Sequence, residues 1–282
     1  MKKILVATSL VAASALMLAG CANATPTASP SASSTISVDA AAAALLPAAY
    51  KTKGINAGSD IPYAPMEFFD SKNNPQGFDV DLINAIGAKL GVPVKFEVQA
   101  FDSLIPSLQS GKHDVAMSSM SDTLDRQKVL DFVDYFNGGA SLIVAKGHTS
   151  KVTGLSGLCG KPVAAESATW EVDLLNSASD DCTKAGKAAI SVQSLPSDTA
   201  AQSAVRSGKA VAYLADSQLA AYTVKVAGSG TYFDLVIDPA APNGYESGLI
   251  GIGVLKANSG LTAALQAGLK SLMADGTYDQ LL

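Results

Sequence analysis

The chain has 282 residues, a formal net charge of −5 and a sequence pI near 5.0, so it lacks the basic face that nucleic-acid binding requires. Hydrophobic residues make up 48% and charged residues 16%, which excludes a chain disordered throughout and supplies a core for one or two domains. Its two histidines, His113 and His148, are not at ligand spacing, and G-x-S-x-G, G-x-x-x-x-G-K-[ST] and G-x-G-x-x-G are all missing; zinc-hydrolase, serine-hydrolase, P-loop and dinucleotide readings lose their support. No metal and no cofactor is expected.

The first elements are an address. Met1-Lys2-Lys3 is a basic start, Ile4 to Met17 is an apolar stretch too short to span a bilayer, and Leu18-Ala19-Gly20-Cys21 places small residues before a cysteine. This resembles the bacterial lipobox, which implies a leader over 1–20, a diacylated Cys21 and a membrane-anchored protein outside the cytoplasm. With Cys21 so used, Cys159 and Cys182 remain, an even pair in an oxidising compartment; a disulfide is expected, with two separate reduced thiols as the alternative. Residues 21–44 are rich in Ala, Ser, Thr and Pro and suit a flexible stalk, within which Ala40 to Ala44 suggests a short helix ending near Pro47.

From Tyr50 strands and helices alternate. Gly54 to Gly58 suits a strand, Phe78 the start of a short one, and Val80 to Leu90 a helix stopped by Gly91 and Pro93. Strand Val94–Val98, helix Ser103–Gln109, strand Val115–Met117, a first helical turn at Arg126 and a buried strand Leu142–Ala145 follow. A second unit runs through strand Pro162–Ala165, helix Thr169–Asn176, strand Ala189–Val192, helix Asp198–Ser207, strand Ala210–Leu214 and helix Ser217–Val226. Strand Leu249–Leu255 and helix Gly260–Asp275 come last. The βαβ texture predicts largely parallel sheets flanked by helices, in two lobes.

Five segments carry a more specific signal: Tyr63-Ala64-Pro65, Gly77-Phe78-Asp79-Val80-Asp81-Leu82, Phe101-Asp102-Ser103-Leu104-Ile105-Pro106, Ser118 to Gln127 with Asp131-Phe132, and Asp275-Gly276-Thr277-Tyr278. In this order they resemble the polar amino-acid-binding proteins of ABC importers, the extracellular solute-binding proteins of the lysine/arginine/ornithine, histidine and glutamine type. The resemblance implies an α/β type II periplasmic-binding-protein-like clamshell, each lobe a mainly parallel sheet flanked by helices. Lobe 1 would span 45–139 plus 245–282 and lobe 2 143–237, joined by two crossover hinge strands near 138–142 and 238–244. It also implies a monomer that takes an amino acid and docks on ABC permease subunits, closing under ligand.

Carried over residue by residue, Arg126 would hold the ligand α-carboxylate as a planar, bidentate cation. Without the resemblance it is a surface arginine paired with Asp122 or Asp125. Ser119 and Ser121, flanking Met120 on an extended segment, would contact the ligand's amino and carboxylate groups, and Ser118 its side chain; the plain alternative is a serine-rich turn capping a helix. Asp216 matches the carboxylate for the α-ammonium, or caps the helix starting at Ser217. Tyr63 and Phe101 match the aromatic sandwich around the side chain, and Asp60 lies at its distal end. The run Glu166-Ser167-Ala168-Thr169-Trp170 departs from the usual Gly-Thr-Thr or Gly-Ser-Thr: Ala168 replaces a glycine and Trp170 a threonine, while Thr169 keeps its place at a helix N-terminus. Glu166, with Asp60 and Glu67, would make the distal pocket acidic and favour arginine, lysine or ornithine; alternatively Glu166 and Glu67 face solvent. Other readings are a neutral polar amino acid, an acidic one, cystine or a quaternary amine, a sensing lipoprotein, or a dehydratase with Glu166 as its only acid/base.

Overall fold

The computed structural model describes residues 36–282. The expected leader, the lipidated Cys21 and most of the stalk lie outside the described residues. The chain enters through α1 (Ala40–Leu45), capped by Asp39, whose side chain accepts the Ala41 and Ala42 N–H groups at 2.9 and 3.1 Å. After Pro47 comes α2 (Ala48–Lys53). Residues 40–44, assigned to the stalk on composition, instead belong to the folded body: Ala42 and Leu46 are buried in a shared core. Alanine loses no side-chain entropy in a helix, so a run of it suits a short packed helix as well as a linker.

Strand β1 (Ile55–Ser59) leads to a small hairpin, β2 (Phe68–Phe69) and β3 (Pro75–Gln76), then α3 (Phe78–Leu90), β4 (Val94–Val98), α4 (Leu104–Gln109) and β5 (Val115–Ala116). Phe78 begins the helix and not a strand. Gly77, at φ 121°, makes a turn closed to larger residues, and Asp79 and Asp81 follow in the first helical turn, where carboxylates complement the helix dipole. The apolar face of α3, with Leu82, Ile83 and Ile86 fully buried, ends at left-handed Gly91.

One long strand, β6 (Leu130–Ala145), leaves this region and enters the next. There β7 (Pro162–Glu166), α5 (Trp170–Lys184), β8 (Ser191–Leu195), α6 (Asp198–Arg206), β9 (Ala212–Asp216), α7 (Ser217–Val226) and β10 (Phe233–Leu235) follow. The chain returns along β11 (Tyr245–Leu255) and closes with α8 (Ser259–Ala274) and α9 (Thr277–Leu281). The expected disulfide is present: Cys159 pairs with Cys182, Cα–Cα 5.6 Å, tying the approach to β7 to the last turn of α5.

The main sheet has the order β4-β1-β5-β11-β6-β9-β7-β8, with β10 beside β6. Its outer pairs are parallel, as the βαβ texture predicts: β1 with β4 and β5, and β7 with β8 and β9. Its middle is antiparallel, because β6 and β11 run through both lobes in opposite directions. Strand β6 pairs with β11 up to Ala140 and with β9 from Ala140 to Val144, changing partners inside the 138–142 stretch. Separate cores form on either side. One gathers Ile55, Ile83, Met117, Ile252 and Leu265, the other Leu142, Val163, Leu175 and Leu214. The fold is a two-lobed α/β clamshell whose strand ends point into the cleft.

Candidate functional site

Loops after the carboxyl ends of β1, β5, β7 and β9 converge between the lobes, where open α/β sheets bind ligands. They line a narrow cavity of about 20 Å³, far tighter than the roughly 300–1,000 Å³ of open small-molecule sites. Of the residues that the sequence proposed for the ligand, all line it but Arg126, which sits against it, and Glu67; Glu171 joins them.

On the first lobe, the Asp60 N–H donates to Ser118 Oγ at 2.9 Å, and Ser118 Oγ donates to Glu67 Oε1 at 2.8 Å. Asp60 Oδ2 accepts the Phe101 N–H at 3.2 Å. Glu67 therefore stands behind Ser118 and does not line the cavity, contrary to the sequence expectation of a third distal carboxylate. Burial, then the Asp79 charge beside it, raises its carboxyl well above the usual carboxylate range. Asp79 accepts the Ser119 N–H and the Tyr135 hydroxyl, each at 2.8 Å, and burial pushes it up to about 6. Ser119 has φ 44°, so Ser118 to Ser121 is not the extended segment expected; the Asp79 carboxylate holds a left-handed residue in place.

Arg126 lies in a single 3-10 turn and is 9% exposed. One terminal nitrogen donates to the Ser121 carbonyl at 2.7 Å, the other across the cleft to the Ala168 carbonyl at 3.0 Å. Its guanidinium carbon is 5.3 Å from the centre of the Phe101 ring. The surface alternative fails, because Asp125 pairs with Lys128 at 2.6 Å and Asp122 accepts from Gln127 at 2.9 Å.

On the second lobe, Ala168 has φ 61°, the conformation that explains a glycine as the usual occupant. Thr169 Oγ1 donates to the Glu166 carbonyl at 2.8 Å, and α5 starts at Trp170, so that Thr169, Trp170 and Glu171 bring a helix N-terminus to the cavity wall. Asp216 precedes α7 but makes no capping bond; its Oδ2 accepts the Tyr63 hydroxyl from the other lobe at 3.0 Å.

Four carboxyls, on Asp60, Glu166, Glu171 and Asp216, line the cavity, and the last three are each at least nine-tenths buried. Glu166 Oε1, Glu171 Oε1 and Asp216 Oδ1 have no protein partner. Burial, then Asp60 facing it, pushes the Glu166 carboxyl up to about 10. Burial and the neighbouring Asp216 raise Glu171, and burial pushes Asp198, behind them, up to about 7. The sequence reading missed Glu171. An acid in a first helical turn complements the helix dipole, and only its place next to Trp170 hinted at more. Beyond Trp170 lies an open recess of about 390 Å³, which shares Ser121, Trp170 and Asp216 with the cavity.

Neither histidine joins the site: His113 is buried with Nδ1 2.8 Å from Ser107 Oγ, and His148 sits in an exposed turn. Among the described residues, no group of three or more His, Cys, Asp or Glu has the arrangement of a metal site, and no helix is long and apolar enough to cross a membrane. What the wall presents is acidic acceptors, one arginine and a helix N-terminus: a recognition surface for a small solute carrying both charges.

Known proteins match this picture. The family model of the bacterial extracellular solute-binding proteins, family 3, matches residues 55–282. The chain is 29% identical to the arginine-binding protein ArgT of Corynebacterium glutamicum, over 85% of this chain and 76% of that one. It is 31% identical to the lysine/arginine/ornithine-binding periplasmic protein of Escherichia coli K12, over 80% and 85% respectively. A solved ancestral arginine-binding protein bound to arginine superposes with a TM-score of 0.72 at 31% identity, covering 80% of this chain and 95% of that one. All three are named as binding proteins and none as an enzyme. With a family model matching residues 55–282 and the clamshell that model implies, the chain belongs to the bacterial extracellular solute-binding proteins of family 3.

Proposed function

We propose that the protein captures a cationic amino acid, arginine, lysine or ornithine, between its lobes and delivers it to an ABC transporter permease. It does so as a monomer, tethered by lipidated Cys21 on the extracytoplasmic face of the membrane, and performs no chemistry on its ligand. The carrying observation is the charge of the cavity wall, with Asp60, Glu166, Glu171 and Asp216 against one arginine. A neutral ligand would leave that excess of buried carboxyls uncompensated; a cationic side chain offsets part of it. The names of the relatives, arginine-binding and lysine/arginine/ornithine-binding, support the same class.

In this reading Arg126, Ser119, Ser121 and the N–H groups at the start of α5 take the α-carboxylate, where a planar guanidinium and a helix N-terminus both favour an anion. Asp216 and Glu171 take the α-ammonium. Tyr63 and Phe101 flank the side chain, with Ser118, Thr169 and Trp170 completing the walls, and Asp60 and Glu166 receive its distal cation. Lobe 1 is 40–139 plus 245–282, lobe 2 is 143–237, and the pivots are 138–142 and 238–244. Because ligand groups bridge residues of both lobes, affinity is greater for the closed form, and that difference drives closure.

The test is a thermal-shift panel on protein stripped of co-purified ligand, with the twenty amino acids, ornithine, citrulline, cystine and betaine. A ligand at a thousand times its Kd stabilises by roughly 4 kcal/mol. A shift of several degrees confined to arginine, lysine and ornithine is expected, accompanied by a change in emission from Trp170, the only tryptophan. A shift confined to glutamine, cystine or betaine refutes the cationic class.

A further inference from the structure

Glu166 stands at the end of β7, 7% exposed, with Oε1 unpartnered and turned into the cavity. Its carboxyl and that of Asp60, on the opposite lobe, line the same narrow cavity, and the Asp60 charge adds to burial in raising it. Around it stand Tyr63 from the loop after β1, Glu171 from α5 and Asp198 from the start of α6, with Asp216 and Glu67 beyond. None of these is a cation. Arg126 already donates to the Ser121 and Ala168 carbonyls, and the Thr169 hydroxyl bonds the Glu166 carbonyl and not its carboxyl. Two carboxyls in such a place cannot both ionise at modest cost, whereas one proton on the pair removes the repulsion.

We propose that Glu166 sets the specificity for a cationic side chain by proton exchange: it carries a proton opposite the Asp60 carboxylate when no ligand is bound and releases it when the ligand's distal cation takes that place. This rests on the reading of the cavity as a cationic amino-acid site. The exchange balances in charge: the O–H bond breaks, the proton passes to buffer, and the ligand's positive charge replaces it between two carboxylates. A ligand with a neutral side chain cannot make that exchange, because it would leave two bare carboxylates facing each other. Arginine affinity therefore rises with pH, by about tenfold per pH unit for each proton released. Citrulline, uncharged at the same position, binds about a hundredfold more weakly and without the pH slope.

The experiment is calorimetry of L-arginine binding to the purified full chain at pH 7, in phosphate and in Tris. The two buffers differ in ionisation enthalpy, so the difference in heat counts protons released. About one proton more per arginine is expected from the wild type than from Glu166→Gln, which should also bring arginine and citrulline to within about tenfold of each other. Arginine binding with no proton released overturns the inference and leaves the proposed function intact. Release persisting undiminished in Glu166→Gln overturns the assignment to Glu166. Absence of binding by arginine, lysine and ornithine overturns the proposed function itself. The wild-type count stands alone if the variant does not fold.

Discussion

Replacing Asp216 by asparagine should move binding and stability in opposite directions. The change is nearly isosteric, and the Tyr63 hydroxyl, 3.0 Å from Oδ2, can still donate to the amide oxygen. What disappears is the charge beside Glu171 and an Oδ1 acceptor that is buried without a partner. Relief of an unsatisfied buried acceptor is worth about 1–2 kcal/mol. For a body of this size that raises the Tm of the ligand-free protein by about 2–8 °C. Binding suffers, since the α-ammonium loses one ionic partner in a desolvated site, a loss of about 2–5 kcal/mol when nothing replaces it. Glu171 remains, so the lower part of that range applies, about 2–3 kcal/mol or roughly 30- to 150-fold in Kd. Calorimetry with arginine and thermal denaturation of the same preparations read both. A lower Tm with an affinity within twofold of wild type would reduce Asp216 to a structural acceptor for Tyr63 and refute the site assignment.

Arg126→Ala should weaken arginine binding by about 2–5 kcal/mol, and Arg126→Lys should recover only part of it, because a point charge cannot reproduce a planar fork; equal affinities for lysine variant and wild type, by titration, would argue against bidentate capture. Opening the Cys159–Cys182 bridge, which closes a sequence separation of 23, should cost about 3.5 kcal/mol in denaturant unfolding and leave affinity unchanged. Stability of the ligand-free protein should fall as pH rises. Asp79 and Asp198 are pushed up to about 6 and about 7, against roughly 3.9 unfolded, so their contribution is complete below the unfolded value and lost through the folded ones. His113, lowered by burial, opposes them as one group, and the carboxylates lowered by hydrogen bonds act only at more acid pH. A Tm lower at pH 5 than at pH 8 in ligand-free protein would contradict this account of the cleft.

Local signals brought much of this molecule within reach of its sequence. Helix α7 has the bounds that its apolar spacing and the preceding Asp216 suggest, and α3 is stopped by Gly91 as expected. The candidate site residues came from the family resemblance, carried over one by one, and the structure gathers them at one cavity, with Arg126 against it. The misses share a cause, which is that tertiary partners decided them. Strand β6 continues through Asn137-Gly138-Gly139, a breaker on paper, because β11 supplies a ladder on one side. Helix α5 runs on to Lys184 through Ser177-Ala178-Ser179-Asp180-Asp181, a stretch with little apolar face, where Cys182 pins it. Glu67 and Glu171 are both acids near the cleft, and which of them lines the cavity depends on Ser118 standing in front of one.

The return of β11 into the first lobe orders events for a chain emerging from a pore. Strands β6, β7, β8, β9 and β10 and helices α5 to α7 have all left by Leu235, so the second lobe can close its own sheet early. The first lobe cannot: β11 is the partner of both β5 and β6, and α8 packs on α1 and α3. Ile55, Ile83 and Ile86, though encoded in the first third of the protein, stay uncovered until the final strand and helices are delivered. A nascent chain therefore spends most of its passage with half of its core open, available to holdases and slow to fold prematurely.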